Sequence, residues 1–269
     1  NRFRRMWRTM KVDSRNAKMA NRRLLDMWVD MYGEDSDFVR VRVRGEFPRA
    51  GDLQFISVED VDAAISRKHA DQSNYAVIMG VYGARHCSDQ TVITLRQGRG
   101  RPRFIKFRIP DTMQIAAKVA ELINEHKPDQ VFVDATGLGW GVVDRLHQMN
   151  YNMVVAVQTG EKSNKPEQYR DLRAELWGLM REWLKDGGTL PPDAELRTDL
   201  ISIEYGFDDK NRWVLESKKD MKERGLDSPD TADSLALTFT AAVAPTKANR
   251  DTWRNRLGGK RRRRSPMAA

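Results

Sequence analysis

The chain has 269 residues, 40% of them hydrophobic, with 47 Lys and Arg against 38 Asp and Glu, one Cys and four His. That is long enough for one large domain, or one domain with an appendage, and apolar enough to bury a core, so global disorder is excluded. The lone Cys87 cannot close an internal disulfide, which suits a reducing compartment, and one Cys with four scattered His excludes a zinc ribbon. The longest apolar runs, 76–81 and 235–244, are too short to cross a bilayer. A chain that opens on Asn1 instead of Met reads as a piece of something longer.

The net charge of +9 is unevenly spread. Residues 1–23 and residues 246–269 each hold nine basic groups and one acid, a charge of +8 apiece, so the body between them carries −7. Basic ends on an acidic body point to a polyanion held by the ends and cations held by the body; solvated tails are the plainer alternative.

In chain order, the spacing of Leu24, Leu25, Trp28 and Met31 predicts a helix over 16–32, which Gly33 can end. The alternation Phe38-Val-Arg-Val-Arg-Val-Arg44 predicts a strand. Pro48 and Gly51 punctuate the exit from this segment, and Ser57 caps a short helix over 58–69. The run 76–81 is a buried strand, 83–90 a turn, and 91–95 and 103–109 are two further strands close enough to form antiparallel hairpins. A helix follows over 112–126, with Ile115, Val119, Leu122 and Ile123 at helical spacing. Then come a strand over 130–133 ending on Asp134, a helix over 141–149 and a strand over 153–157. Residues 168–185 form a long helix with Leu172, Leu176, Leu179 and Trp183 inward, 193–203 another, and 207–215 a small hairpin. Ser228 caps a last helix, with Pro229 in its first turn, running to about 243. Beyond Pro245 the basic chain reads as disordered.

Three strands, helix, strand, helix, strand and helices give an α/β domain: a mixed five-stranded sheet with helices on both faces, the ribonuclease H-like order. It is preceded by a helix-and-strand linker segment. The domains are 1–48, 49–245 and a basic tail 246–269. In this order the first and fourth strands are central and parallel, and their carboxyl ends meet where open α/β sheets place their sites.

Asp134 stands at that end of the fourth strand, and glycines 137, 139 and 141 lead into a helix start that suits a phosphate. Alone, Asp134 is equally a turn cap. Asp230 and Asp233 are three apart and share a helix face that Leu237 continues toward the core. A helix start favours Asp230 without any ligand; it explains Asp233 poorly, since carboxylates facing a core need a cation. Asp89, in the turn after the first strand, can reach the same place or be an ordinary turn aspartate. Together Asp89, Asp134, Asp230 and Asp233 offer only hard oxygen ligands, which select Mg²⁺ or Mn²⁺; two such ions serve phosphodiester hydrolysis.

Four stretches resemble the carboxyl-terminal nuclease domain of the large terminase subunit of tailed bacteriophages. Tyr32-Gly-Glu-Asp-Ser-Asp37 with Val41-Arg-Val-Arg-Gly-Glu-Phe-Pro48 is similar to the segment joining that family's ATPase to its nuclease. Met79-Gly-Val with Ser88-Asp-Gln-Thr-Val-Ile93 is similar to its first active-site strand and hairpin, and Val131-Phe-Val-Asp-Ala-Thr-Gly-Leu-Gly139 to the second. Ser217-Lys-Lys-Asp-Met-Lys-Glu-Arg-Gly225 with Ser228-Pro-Asp-Thr-Ala-Asp-Ser-Leu-Ala-Leu-Thr238 is similar to the third. The resemblance implies a metal-dependent endonuclease that cuts concatemeric double-stranded DNA with two Mg²⁺ or Mn²⁺ ions. It implies portal protein and small terminase subunit as partners, and a place at the procapsid portal in the host cytoplasm. Residues 1–48 would be the tail end of an upstream ATPase motor; no G-x-x-x-x-G-K-[ST] stretch is present, so ATP hydrolysis is not expected here.

The resemblance breaks at Tyr82. The family's strand ends Gly-Val-Asp, with the aspartate bridging both ions, whereas here it reads Gly80-Val-Tyr82. A neutral phenol is a poor ligand for a hard divalent ion. A decayed prophage gene or a deliberate inactivation would account for it. The alternatives to an active nuclease are a catalytically silent module of the same fold that grips DNA or docks on the portal, and a resolvase-like nuclease.

Overall fold

A computed structural model of the chain describes residues 11–34, 37–46, 53–68, 72–83, 90–137 and 139–246. The chain divides into two compact units, Asn1–Gln54 and Phe55–Ala269. The boundary expected at residue 48 and the basic tail from 247 onward lie outside the described residues.

In the first unit the expected helix over 16–32 is shorter. A 3-10 turn spans Ser14–Asn16, and helix α1 runs only over Arg22–Tyr32, because Asn21 caps it by accepting from Leu24 N–H at 3.2 Å. Gly33, at φ 83°, ends it as expected. The strand expected over 38–44 is a helix instead, α2 (Asp37–Arg42). Val39 and Val43 stand four apart and are fully buried, while Val41 is 44% exposed. That is helical spacing, and it overrides the period-two alternation. A lone strand here would leave its backbone groups without a ladder; the helix turns them inward, with Val43 N–H bonded to Val39 O at 2.9 Å. Glu46 gathers Lys11, Arg40 and Arg44.

The second unit opens with α3 (Val58–Ser66), capped by Ser57 as expected. Strands β1 (Val77–Tyr82), β2 (Thr91–Gln97), β3 (Arg103–Phe107), β4 (Gln130–Asp134) and β5 (Val154–Val157) form one sheet in the order β3-β2-β1-β4-β5. β1 pairs antiparallel with β2 and parallel with β4, the expected ribonuclease H-like arrangement. β1 is apolar almost throughout because the sheet is covered on both sides.

On one side, α4 (Thr112–His126) and α5 (Gly139–Gln148) pack Ile115, Val119, Leu122, Val143 and Leu146 against Met79, Val81, Ile93 and Val131. On the other side lies α9 (Asp230–Leu237), backed by α6 (Leu172–Lys185) and α7 (Ala194–Ser202). α9 comes so close to β1 that a Cβ at Gly80 would stand 2.2 Å from Ser234 O, so only glycine fits. A hairpin, β6 (Tyr205–Phe207) with β7 (Trp213–Leu215), leads into α8 (Lys218–Glu223).

Two helix ends depart from expectation. α6 begins at Leu172, not 168, because Asp171 accepts from Ala174 N–H at 2.9 Å and caps it there. Leu179 is only half-buried, and Trp177 takes the inward place. α9 starts at Asp230 with Pro229 at its cap position and without the side-chain cap expected from Ser228. Asp199 of α7 caps it from across the fold, accepting from the N–H groups of Thr231 at 3.1 Å and Ala232 at 3.2 Å. α9 stops at Leu237, well short of 243, where Arg96 of β2 binds Thr238 Oγ1 at 2.7 Å and Thr238 O at 2.8 Å. An anion at the amino end and a cation at the carboxyl end fix the helix and complement its dipole.

Candidate active site

The parallel register sets Val81 of β1 opposite Val133 of β4. The next residues, Tyr82 and Asp134, therefore end the two central strands side by side. α9 crosses above this edge, and Asp233 is carried there by its first turn. A pocket of about 380 Å³ opens between them, lined by Tyr82, Asp134, Arg173, Trp177, Lys218 and Asp233 among others.

Asp233 is the most enclosed of the carboxylates in charge terms, and both of its oxygens are engaged. Oδ1 accepts from Trp177 Nε1 at 2.8 Å and from Arg173 Nε at 3.2 Å. Oδ2 meets Lys218 Nζ at 2.6 Å as an ion pair, with no hydrogen bond of good angle to that oxygen. Burial pushes the Asp233 carboxyl up, but Arg173 and Lys218 outweigh it and hold it at about 2. Lys218 Nζ also lies 3.5 Å from Asp230 Oδ1, donates to the Tyr82 hydroxyl and stands 4.2 Å from the centre of its ring. Burial would lower the Lys218 ammonium; Asp233, Tyr82 and Asp230 hold it raised instead. Burial pushes the Tyr82 phenol up to about 12, so it is neutral at ordinary pH.

Asp134 is 4% exposed, and its carboxyl is raised, chiefly by burial and partly offset by the hydrogen bond from Thr136 N–H at 3.0 Å. Asp230 is raised by burial too, with Lys218 opposing. Arg173 donates from Nη1 to Glu216 O at 3.1 Å, and its Nη2 is buried without a hydrogen-bond partner among the described residues.

Of the residues singled out from sequence, Tyr82, Asp134, Asp230 and Asp233 converge on one place. Asp89 lies outside the described residues. Lys218, Arg173 and Trp177 were not foreseen in the site. A signal for Lys218 was present: Ser217 and Asp220 form a capping box, with Asp220 N–H bonded to Ser217 Oγ at 3.2 Å, which starts α8 at Lys218. Arg173 and Trp177 are four apart and so share a face of α6.

As placed, these side chains do not fit two divalent ions. Among the described residues no group of three or more His, Cys, Asp and Glu is placed to hold a metal ion. The oxygens of Asp233 are already met by nitrogen donors, and the position that would supply a further carboxylate carries the Tyr82 phenol. The cation among the carboxylates is an ammonium.

No family model matches the chain. It is 28% identical over 229 residues to the "Probable terminase, large subunit" of Enterobacteria phage P7, a match covering 79% of this chain and 46% of that protein. The chain thus spans less than half the length of this relative. Its fold matches a mutant nuclease domain of the large terminase subunit gp2 of bacterial virus Sf6, solved with manganese and beta-thujaplicinol: TM-score 0.61, 17% identity, 71% of this chain and all of that one. It also matches the large terminase nuclease of thermophilic phage G20c with bound magnesium: TM-score 0.52, 14% identity, 69% of this chain and 97% of that one. The chain is therefore a relative of the phage large terminase subunits and carries the fold of their nuclease domains.

Proposed function

We propose that this chain contains the nuclease domain of a DNA-packaging large terminase subunit, acting on double-stranded DNA, in a form whose own cutting is impaired. The observation that carries the reading is the convergence of Asp134, Asp230 and Asp233 at the carboxyl ends of two parallel central strands. A phosphodiester entering there finds Arg173, with an unused buried donor, and Lys218. Arg170 and Lys219 stand on the same walls and are more exposed, at 48% and 84% of their side chains, so they suit contacts to flanking phosphates. Divalent metal, present in the Sf6 and G20c structures, supplies charge stabilisation for phosphodiester hydrolysis when bound. For this chain, metal-dependent cutting is proposed chiefly for the Tyr82→Asp protein, which regains the missing carboxylate. The partners proposed are duplex DNA, a portal protein and a small terminase subunit, at the procapsid portal in the host cytoplasm.

A second reading is favoured by the Lys218 ion pairs: a catalytically silent module that keeps the grip on DNA or the portal. One plasmid-nicking assay in Mn²⁺ separates the two. It compares this protein, Tyr82→Asp, and Tyr82→Asp with Asp134→Asn. We expect weak or no nicking by the first, a gain on the order of a thousandfold in the second, equivalent to about 4 kcal/mol of barrier, and loss again in the third. Robust cutting by the unaltered chain would overturn the impairment. Absence of cutting in Tyr82→Asp would leave the silent module.

A further inference from the structure

The carboxylates of α9 already hold a cation, and the residue that departs from the resemblance is what docks it. Lys218 is the first residue of α8, anchored by the Ser217 cap, so its ammonium reaches the pocket from a fixed base. It is bounded by Asp233 Oδ2 at 2.6 Å, Asp230 Oδ1 at 3.5 Å and the hydroxyl and ring of Tyr82. Its side chain is 23% exposed and that of Asp233 is 7% exposed, so the attraction acts through little water. An aspartate at position 82 would add a third negative neighbour at this spot; a phenol instead gives the ammonium a neutral acceptor and a π-face. With Asp134, Asp230 and Asp233 set against Lys218 and Arg173, the cluster keeps one uncompensated negative charge.

We propose that Lys218 is the resident cation of the Asp230–Asp233 pair, locked there by Tyr82, and that a divalent ion reaches this pair only when the ammonium leaves. The pocket is thereby assigned as one that competes internally against metal loading. The inference goes beyond the nuclease reading and shares with it only the pocket and the class of ion offered.

The test titrates Mn²⁺ into the protein at one pH and follows the free Mn²⁺ signal by electron paramagnetic resonance. Three proteins are compared: the unaltered chain, Lys218→Met, which keeps the volume and removes the charge, and Tyr82→Phe, which keeps the ring and removes the hydroxyl. Lys218→Met is expected to bind Mn²⁺ at least tenfold more tightly than the unaltered chain, and Tyr82→Phe by a smaller factor of several-fold. Thermal unfolding with and without Mn²⁺ is the second readout. Lys218→Met should start with a lower Tm and regain it on adding Mn²⁺, while the unaltered chain should shift little. If Lys218→Met does not fold without metal but folds with Mn²⁺, the proposal holds. Unchanged Mn²⁺ affinity in both variants, or tight binding of two ions by the unaltered chain, overturns it. These readouts do not use cleavage, so a failure of the nuclease reading, seen as inactive Tyr82→Asp, leaves the outcome separately legible.

Discussion

The two faces of the central sheet are built on opposite principles. Against α4 and α5 the sheet buries an apolar cluster from Met79 to Val154, in which no side chain needs a particular polar partner. Against α9 it buries Thr231, Asp233, Ser234 and Thr238, and each is matched individually. Ser234 is hydrogen-bonded to Thr94, Asp233 to Trp177 and Arg173, Thr231 to Glu195, and Thr238 to Arg96. The first face is held by volume and area, which tolerate exchange of one apolar residue for another. The second is held by pairs, in which losing one member strands the other. Function collects on the second face because only there does the fold hold charge away from water.

The strongest break of this contrast is Asp233→Ala. It leaves Lys218, Arg173 and Trp177 without their shared acceptor, and we expect a loss of about 3–5 kcal/mol in urea unfolding. On the apolar face, Leu146→Ala, at a fully buried position, should cost about 2–5 kcal/mol, while Leu146→Met should cost less than about 1.5 kcal/mol. An equal cost for the two Leu146 variants would show that this face also depends on specific shape. Asp199→Ala removes the remote cap of α9 and should cost about 0.5–2 kcal/mol, with Asp199→Asn recovering much of it through its remaining oxygen.

The same two carboxylates give opposite pH dependences. Burial pushes Asp199 up to about 8, against the Ala232 amide and aided by Asp233 and Glu195. The folded protein then keeps a proton that the unfolded chain has shed above its ordinary value of 3.8. The stability from Asp199 is therefore full below 3.8 and is lost as pH rises to about 8. Asp233 lies at about 2, so its contribution is present above 3.8 and is lost as pH falls toward 2. Denaturant midpoints across pH 2 to 9 should show the alkaline decline flattened in Asp199→Asn and the acid decline flattened in Asp233→Asn. The smallest effect belongs to the outer surface of the apolar side. Lys118→Ala breaks an exposed pair with Glu121 and should change stability by less than about 0.5 kcal/mol.

What the sequence by itself determined was whatever depends on local repetition and capping. The helix over Thr112–His126 falls where its apolar spacing puts it, and Ser57 caps where a serine before an apolar run should. The strand order followed from the order and spacing of segments, and with it the meeting of Asp134 and α9 at one sheet edge. Tertiary structure alone decided the rest. The Val39–Val43 segment satisfies two periodicities at once, and only the burial of both valines together selects helix over strand. The amino end of α9 is set by Asp199, thirty-one residues before Asp230, and its other end by Arg96 on a different strand. The partner of the site's carboxylates is Lys218, whose ammonium is brought to Tyr82 across 136 residues of chain. Periodicity and capping act within a few residues, so they are written locally. A buried charge must find its counter-charge wherever the folded chain presents one, and that choice is made by the packing of helices on the sheet.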